Sequence, residues 1–400
     1  MWGWLVVGFM LIGVLPTIAS PPIALATQLA RQLLDQSPDQ RVWRGLVQQK
    51  QLEVTHAYVP PNPSFRFDIT HSASNSQPSW GSDFEWDQPL VMGNRQPVLA
   101  QEAGSQLALT QHQVRIDQLN RYADILQSIV AYDIARQSWT MLHHRMPDFQ
   151  DLMRFAQSRP QQSIQEQVDV AILTAFFHDL SVSLHQRHTA MTDAKLAIGQ
   201  WGDFSWEGAI QRPPLPPQLP PIALETTPQM AYWALYRHQL NSTLQKWHRL
   251  NDPSVSLMLK SSLPFTANNG GATTGVGLVV TPAWHHQTKG QLATTQVALD
   301  HVDDQEASVR RSLQHEQSAT WHDYESAMWV LKEGGEQRLR ATTRSFHTAL
   351  QGFRRGLVSA VSVVELGRLL MQQEERYTSA LYRAHMAHIN WGRWQEPILP

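Results

Sequence analysis

The sequence predicts a mainly α-helical chain with a β-barrel portion. Four strands per chain would form part of a barrel that one copy cannot close, and long coiled-coil helices would continue from it. Three observations carry this expectation. One unit is written twice, each unit holds a hairpin alternating with period 2, and each hairpin is followed by some fifty residues of helical periodicity.

The duplication fixes the order of everything else. Ser37-Pro38-Asp39-Gln40-Arg41-Val42-Trp43 leads to Pro61-Asn62-Pro63-Ser64, and Thr227-Pro228-Gln229-Met230-Ala231-Tyr232-Trp233 leads to Asp252-Pro253-Ser254. Pro38 and Pro228, Trp43 and Trp233, and Pro63 and Pro253 share one offset of 190 residues, too long for a solenoid period and suited to a duplicated half. Residues 27–211 are therefore expected as the first repeat and 222–400 as the second. Between them, residues 212–221 read Arg-Pro-Pro-Leu-Pro-Pro-Gln-Leu-Pro-Pro, a stiff extended linker with few backbone donors.

Ahead of the first repeat, an apolar run from Trp2 to Ile18 is followed by Ala24-Leu25-Ala26. This is the pattern of a secretory signal over residues 1–26 with a small-residue cleavage site, the alternative being an uncleaved membrane anchor. Beyond residue 30 no run of about 18 apolar residues occurs, so no further helix is expected to span a bilayer. Insertion into a membrane would have to be as a β-barrel, which satisfies every backbone group between strands.

Within each repeat a helical stretch (28–58 in the first) reaches an Asn/Asp-Pro-Ser turn, and the period then becomes 2. Phe65, Phe67 and Ile69 alternate with Ser64, Arg66, Asp68 and Thr70, and Val255, Leu257 and Leu259 alternate with Ser254, Ser256 and Lys260. A polar loop follows, 71–79 in one repeat and Asn268-Asn269-Gly270-Gly271 in the other. Returning strands carry Phe84 and Trp86, or Val276, Leu278 and Val280, and Pro89 and Pro282 are expected to close them. The hairpins are thus predicted over 63–90 and 253–282, giving four strands per chain.

Helical periodicity resumes from about Val98 to Phe155 and from about Gln291 to Phe353, each stretch a rod of about 80–90 Å. Leu119, Tyr122, Leu126 and Ile129 keep the 3-4 spacing of a coiled-coil seam, and Gly334-Gly335 marks an expected bend in the second rod. Shorter helices return over about 163–196 and 360–389. A four-stranded sheet with one apolar and one polar face leaves edges that lipid does not tolerate, so several copies must complete the barrel. Trp80, Trp86 and Trp284 would then sit in an interfacial aromatic girdle.

Composition excludes several function classes. The 400 residues carry 32 basic and 34 acidic side chains, a net charge of −2, so no basic field exists to hold a nucleic acid. There is no cysteine, which removes disulfides, thiolate metal sites, a Cys nucleophile and a lipid anchor on cysteine. No phosphate-cradling glycine loop, nucleophile elbow or paired-carboxylate motif occurs, so no enzyme activity is expected. Of 18 histidines, His143-His144 and His285-His286 are adjacent and His178, His185 and His188 share one helix. No His-Glu-x-x-His or convincing carboxylate shell accompanies them, so neither a resident metal nor a cofactor is expected.

At this point the chain resembles the TolC-like outer-membrane efflux proteins (outer membrane factors), more closely their heavy-metal-efflux branch. The features that carry the resemblance are Pro60-Pro61-Asn62-Pro63-Ser64 leading into the first strand, Asp87-Gln88-Pro89-Leu90 and Gly93-Asn94-Arg95 leaving the second, the duplication, and Phe353-Arg354-Arg355-Gly356-Leu357-Val358-Ser359-Ala360. The resemblance covers nearly the whole mature chain. It implies a homotrimer with twelve strands in one outer-membrane barrel and twelve helices in one periplasmic tunnel. Such a channel joins an inner-membrane pump, through a periplasmic adaptor, to the exterior, and passes drugs or heavy-metal cations without catalysis. The conduit of a type I secretion system shares this architecture. A coiled-coil scaffold would explain the rods but not the period-2 hairpins.

The resemblance also assigns residues. The turn at Gly356, Leu357, Val358 and Ser359 would be the adaptor-binding tip, although a plain turn between helices needs the same glycine. The first-repeat turn, Phe155-Ala156-Gln157-Ser158-Arg159-Pro160-Gln161-Gln162-Ser163, lacks the Gly-Leu pair, so docking there is expected to differ in strength. In one branch of the family, acidic rings that narrow the tunnel fall six and nine positions after the tip glycine. Ser362 and Glu365 stand there, so the channel constriction would rest on Glu365 alone, a residue that otherwise reads as a solvated surface acid.

Overall fold

The computed structural model describes residues 22–59, 62–73, 78–90, 95–159, 163–202, 219–250, 252, 254–264, 272–281 and 288–395. Most of the predicted signal (1–21), most of the Pro-rich linker, the Asn268-Asn269-Gly270-Gly271 loop, Pro253, Pro282, Trp284 and the His285-His286 pair lie outside the described residues. The expected cleavage point after Ala26 falls inside the first described helix, α1 (Pro22–Gln36).

One order of elements occurs twice. In the first repeat α1 and α2 (Pro38–Ala57) precede β1 (Ser64–Ala73) and β2 (Pro78–Leu90), followed by α3 (Arg95–His143), α4 (Met146–Ser158) and α5 (Ile164–Gly199). In the second, a short 3-10 turn (Leu224–Thr226) and α6 (Pro228–Leu250) precede β3 (Ser254–Pro264) and β4 (Thr273–Thr281). There follow α7 (Lys289–Asp300), α8 (Val302–Val330), α9 (Glu336–Arg354) and α10 (Ala360–Gly392). Equivalent caps start α2 and α6. Ser37 Oγ accepts from the Asp39 N–H at 3.2 Å and Thr227 Oγ1 from the Met230 N–H at 3.4 Å, each just before a proline in the first helical position.

Three sequence expectations need correction. The first rod is not continuous from Val98 to Phe155: α3 stops at His143 and α4 starts at Met146, because Pro147 has no N–H to continue the ladder and its ring crowds the preceding turn. The second rod breaks where expected, in a π-type turn over Leu331–Gly335 with Gly334 at φ 113°. Pro89 does not close its strand: β2 runs on to Leu90 with Pro89 opposite Ser256 of β3. Pairing with β1 has already ended at Asp87, so on that side the proline has no ladder partner to lose. Finally, α5 is long and apolar enough in composition to qualify as a membrane span, against the expectation that no helix beyond residue 30 does. Its apolar residues divide into a buried stripe (Leu173, Phe176, Leu180) and an exposed one (Ile164, Val168, Val182), the pattern of a helix meant to be packed on two sides.

The chain divides into two compact units, each taking segments from both repeats. The sheet-bearing unit comprises residues 34–124, 217–334 and 383–400. Its four antiparallel strands lie in the order β1-β2-β3-β4, so the two hairpins join through β2 and β3. Its helices are linked in the matching order. Arg121 of α3 pairs with Asp39 of α2 at 2.7 Å, Lys246 of α6 with Glu102 of α3 at 3.4 Å, and Arg237 of α6 with Glu306 of α8 at 2.9 Å. Trp391 at the end of α10 packs in a cluster with Trp321 (tilted) and Trp394 (edge-on), and its Nε1 donates to the Pro220 carbonyl at 2.8 Å, fixing the described end of the linker.

The turn-bearing unit comprises residues 1–33, 125–216 and 335–382. Here α4, α5, α9 and α10 bury Phe149, Leu152, Leu173, Phe176, Leu180, Phe346, Leu350, Val363 and Leu370, with the Phe149 ring 5.6 Å from Phe176 and 5.1 Å from Phe346. Glu374 of α10 is 1% exposed and faces two guanidiniums, Arg145 in the turn between α3 and α4 and Arg187 of α5 at 3.7 Å. Both carboxylate oxygens meet them as ion contacts rather than in hydrogen-bond geometry. Burial, together with the charge of Arg187, holds Arg145 below its ordinary pKa. The same unit buries Asp133 on α3, where desolvation pushes the carboxyl up to about 7 against the pull of Arg136.

Because folding raises this pKa, the folded chain keeps a proton that the unfolded chain releases near 3.8, so stability falls as pH rises from about 4 and levels off above about 7. Asp133→Asn is therefore expected to leave the thermal midpoint unchanged near pH 4 and to raise it progressively up to neutral pH. At about 1.4 kcal/mol per pKa unit the full gain is at most about 4 kcal/mol. Circular-dichroism melts in detergent across that pH range check this, and a gain that did not vary with pH would exclude the carboxyl as its source.

Candidate functional site

Two surfaces carry the chemistry that the chain can offer, one in each unit. In the sheet-bearing unit the register sorts every strand residue. Phe65 lies opposite Trp86, Phe67 opposite Phe84, Leu257 opposite Leu278 and Leu259 opposite Val276, so all share one face with Ile69, Trp80, Leu90, Val255, Leu263 and Val280. No Asp, Glu, Lys or Arg of the described strands lies on that face, and several of its side chains are strongly exposed: Phe65 68%, Phe67 64%, Ile69 63%, Val276 72%, Leu278 68%. The opposite face holds all the strand charges: Arg66, Asp68, Asp83, Glu85, Asp87 and Lys260. Arg66 and Asp68 pair at 2.6 Å on it.

Apolar area that the single chain leaves in water, at about 25 cal/mol per Å², is a strong drive toward lipid or another apolar surface. Strands of 10, 13, 11 and 9 residues suit a hydrocarbon core crossed at a tilt. Trp80 stands on the apolar face near the loop end, its ring 4.5 Å from His71, and Trp86 on the same face nearer the helices.

In the turn-bearing unit two turns meet at one end. After α9, Gly356 adopts φ 74°, its N–H donates to the Phe353 carbonyl at 2.9 Å and the Leu357 N–H to the Gly352 carbonyl at 2.9 Å. This paired closure of a helix C-terminus needs a left-handed residue, which glycine supplies without strain. Val358 folds back on Gly352, where an added Cβ would lie 2.6 Å from Val358 Cγ2. Ser359 starts α10 by accepting from the Ser362 N–H at 3.3 Å, and the two hydroxyls lie 3.1 Å apart. Ser362 is thus engaged in the cap. Glu365, one turn further on, is exposed, and no ion pair among the described residues engages it.

The other turn contributes a clamp that the sequence reading missed. Arg159, just after α4, stacks its guanidinium over the Phe155 ring at 4.5 Å and the Phe353 ring at 5.6 Å, and donates to the carbonyls of Phe353 and Arg354 at 3.4 and 3.3 Å. It thereby satisfies acceptors at the C-terminus of α9, where a cation is favoured. Residues 160–162 lie outside the described residues, and Ser163 then opens α5 with a reciprocal capping box to Glu166. Ile164, the first residue of α5, stands 81% exposed, as Leu357 stands 78% exposed in the other turn. Val168 and Val361 extend these two apolar spots along α5 and α10.

The described histidines form no ligand set. His143 stacks on Trp139 at 4.7 Å and His188 approaches the same ring edge-on at 5.9 Å. Among the described residues no group of three or more His, Cys, Asp or Glu is placed to hold a metal.

No protein-family model matches the sequence, and no curated protein matches it. Solved structures do share the fold. CusC, studied for the conformational changes that accompany folding and transmembrane channel formation, superposes with a TM-score of 0.75 at 12% identity, over 92% of this chain and 90% of that one. The open state of the MtrE outer membrane channel of Neisseria gonorrhoeae gives 0.74 at 12% identity, over 92% and 88%. The outer membrane protein VceC of Vibrio cholerae gives 0.71 at 11%, over 93% and 96%. At these identities the likeness is one of fold: a two-stranded hairpin followed by long helices, an order that occurs twice along nearly the whole chain.

Proposed function

We propose that this chain is a TolC-like outer membrane factor, one subunit of a homotrimeric outer-membrane channel through which an inner-membrane pump and a periplasmic adaptor pass substrates to the exterior. The observation that carries the reading is the sheet. One face is free of charge and apolar, the other holds six charged side chains, and β1 and β4 each leave an outer edge without a partner strand among the described residues. Three copies side by side would make a twelve-stranded barrel with lipid outside and water inside, the arrangement that alternation of this kind suits. The helices would continue the lumen into the periplasm, and the channel itself would do no chemistry, the pump supplying the drive. Efflux of drugs or heavy-metal cations is the role that the sequence resemblance favours.

The Gly356–Ser359 turn, with Leu357 outermost, is the surface offered to the adaptor, and Ile164 and Val168 extend it to the first-repeat turn. Glu365 would form a three-fold carboxylate ring inside the tunnel. Glu365→Gln is accordingly expected to lower cation-over-anion selectivity in planar-bilayer recordings, and unchanged selectivity would remove Glu365 from the constriction. The function as a whole is tested on the purified protein. It should need detergent for extraction, give a trimeric mass, and conduct in planar bilayers. A monomer that extracts into aqueous buffer without detergent would sink the channel reading.

A further inference from the structure

The helices of the sheet-bearing unit repeat the order of its strands, which says what lies against their outer faces. α2 feeds β1, α3 leaves β2, α6 feeds β3 and α7 leaves β4, and the polar links run α2 to α3, α3 to α6, and α6 to α8, the direct continuation of α7. α2 therefore accompanies one open edge of the sheet and α7 the other. Both carry faces suited to a neighbour. On α2, Val42 (67% exposed), Leu46 (41%) and Leu52 (52%) share one side with Gly45, and Arg41 flanks it. On α7, Gly290, Ala293, Thr294 and Val297 form an exposed stripe of small residues, and His301 carries the same face on to Asp304 at the start of α8.

The two faces match in depth and in charge. Leu52 stands about 8 Å along the helix from the barrel end of α2, and Ala293 and Thr294 about 6–8 Å from the barrel end of α7. At that level the α7 side is hollow. A groove of about 480 Å³ is lined by Trp247, Gly290, Gln291, Thr294 and Thr295, and a Cβ added at Gly290 would meet nothing within 4 Å. Arg41 lies about 24 Å from the barrel end of α2 and Asp304 about 23 Å from that of α7. Neither Arg41 nor Arg44 makes an ion pair among the described residues, while the side chain of Asp304 is 88% exposed, with only His301 at 3.8 Å.

We propose that the α2 face of one copy packs on the α7–α8 face of the next copy, with Leu52 over the groove beside Trp247 and Arg41 paired with Asp304. The partner is a second copy of this chain in a head-to-tail ring, and the inference rests on the trimeric reading above. Head-to-tail pairing follows from topology. A copy that adds its β4 to the free edge of β1 brings its α7 alongside α2, so strands and helices close the ring at one seam.

The test uses the full chain, which has no native cysteine. Leu52→Cys combined with Ala293→Cys, treated with a short bismaleimide in detergent, should give covalent dimers and trimers on a denaturing gel, and neither single variant should give the trimer. Arg41→Asp and Asp304→Arg should each lower the fraction of trimer surviving mild heating by at least about half, and the double swap should restore it. A trimer by native mass spectrometry that yields no covalent ladder, or a swap that does not restore, overturns this interface and leaves the trimeric reading standing. A monomeric mass for the unmodified protein overturns both.

Discussion

Arg145→Met is expected to lower the thermal midpoint of the helical signal more than any surface substitution, by a loss of about 3–5 kcal/mol in the turn-bearing unit. Glu374 is 1% exposed, and without Arg145 its carboxylate keeps only Arg187, 3.7 Å away and already donating to the Ser138 carbonyl at 2.9 Å. A buried charge stripped of its near partner carries its full desolvation cost. The effect should depend on the pair: Arg145→Met with Glu374→Leu is expected to recover most of the loss, because two apolar side chains of similar volume fill the site without a charge to solvate. Circular-dichroism melts of the four proteins in detergent form the double-mutant cycle. A single-variant loss below about 1 kcal/mol, the level of an exposed ion pair, would show that the contact does not hold the joint between α3 and α4.

Leu357→Asp is expected to weaken adaptor binding by at least about tenfold, since the loss of an apolar anchor at the centre of an interface typically costs about 2 kcal/mol or more. The side chain is 78% exposed and lies outside the core, while the reversal itself rests on Gly356 and on two backbone hydrogen bonds. The variant should therefore fold, assemble and conduct as before, and fail only in co-purification with the adaptor. Ile164→Asp, made separately, asks the same of the first-repeat turn. A loss smaller than that of Leu357→Asp is expected, because Arg159 holds that turn against α9 as a support. Retained co-purification in Leu357→Asp would move the docking surface elsewhere.

Much of the fold was legible because its signals are local. Alternation of Phe65, Phe67 and Ile69 with Arg66 and Asp68 needs no tertiary knowledge to place a strand, and β1 and β3 begin at Ser64 and Ser254, one repeat offset apart. The break at Gly334 was readable because two adjacent glycines stand out in a helical run. Its counterpart at Met146-Pro147 was overlooked, although proline is the stronger breaker, because the apolar spacing continues across it through Leu142, Phe149 and Leu152.

The candidate site was legible only at the residues whose chemistry is self-contained. Gly356 had to permit the reversal between two helices, whereas the capping role of Ser359 emerged only from the structure. Arg159 and the Arg145–Glu374–Arg187 contact depend on residues from distant parts of the chain, up to 229 positions apart for Arg145 and Glu374. No spacing rule reaches that far. The overall apolar composition of α5 was obscured by Glu166, Asp169, Asp179 and Arg187 distributed through it, which interrupt any continuous apolar run.

On the trimeric reading proposed above, the outer edges of β1 and β4, which have no partner strand among the described residues, bear on how the protein reaches its final state. A barrel made from one polypeptide can insert as soon as it is synthesised, at a rate first-order in chain. A sheet that ends in two rows of unsatisfied amides cannot enter hydrocarbon until others have joined it, so insertion becomes a collision-limited step whose yield rises steeply with the local concentration of newly exported copies. Low expression should then leave water-exposed, protease-sensitive chains, and a modest rise in synthesis should increase inserted protein more than proportionately.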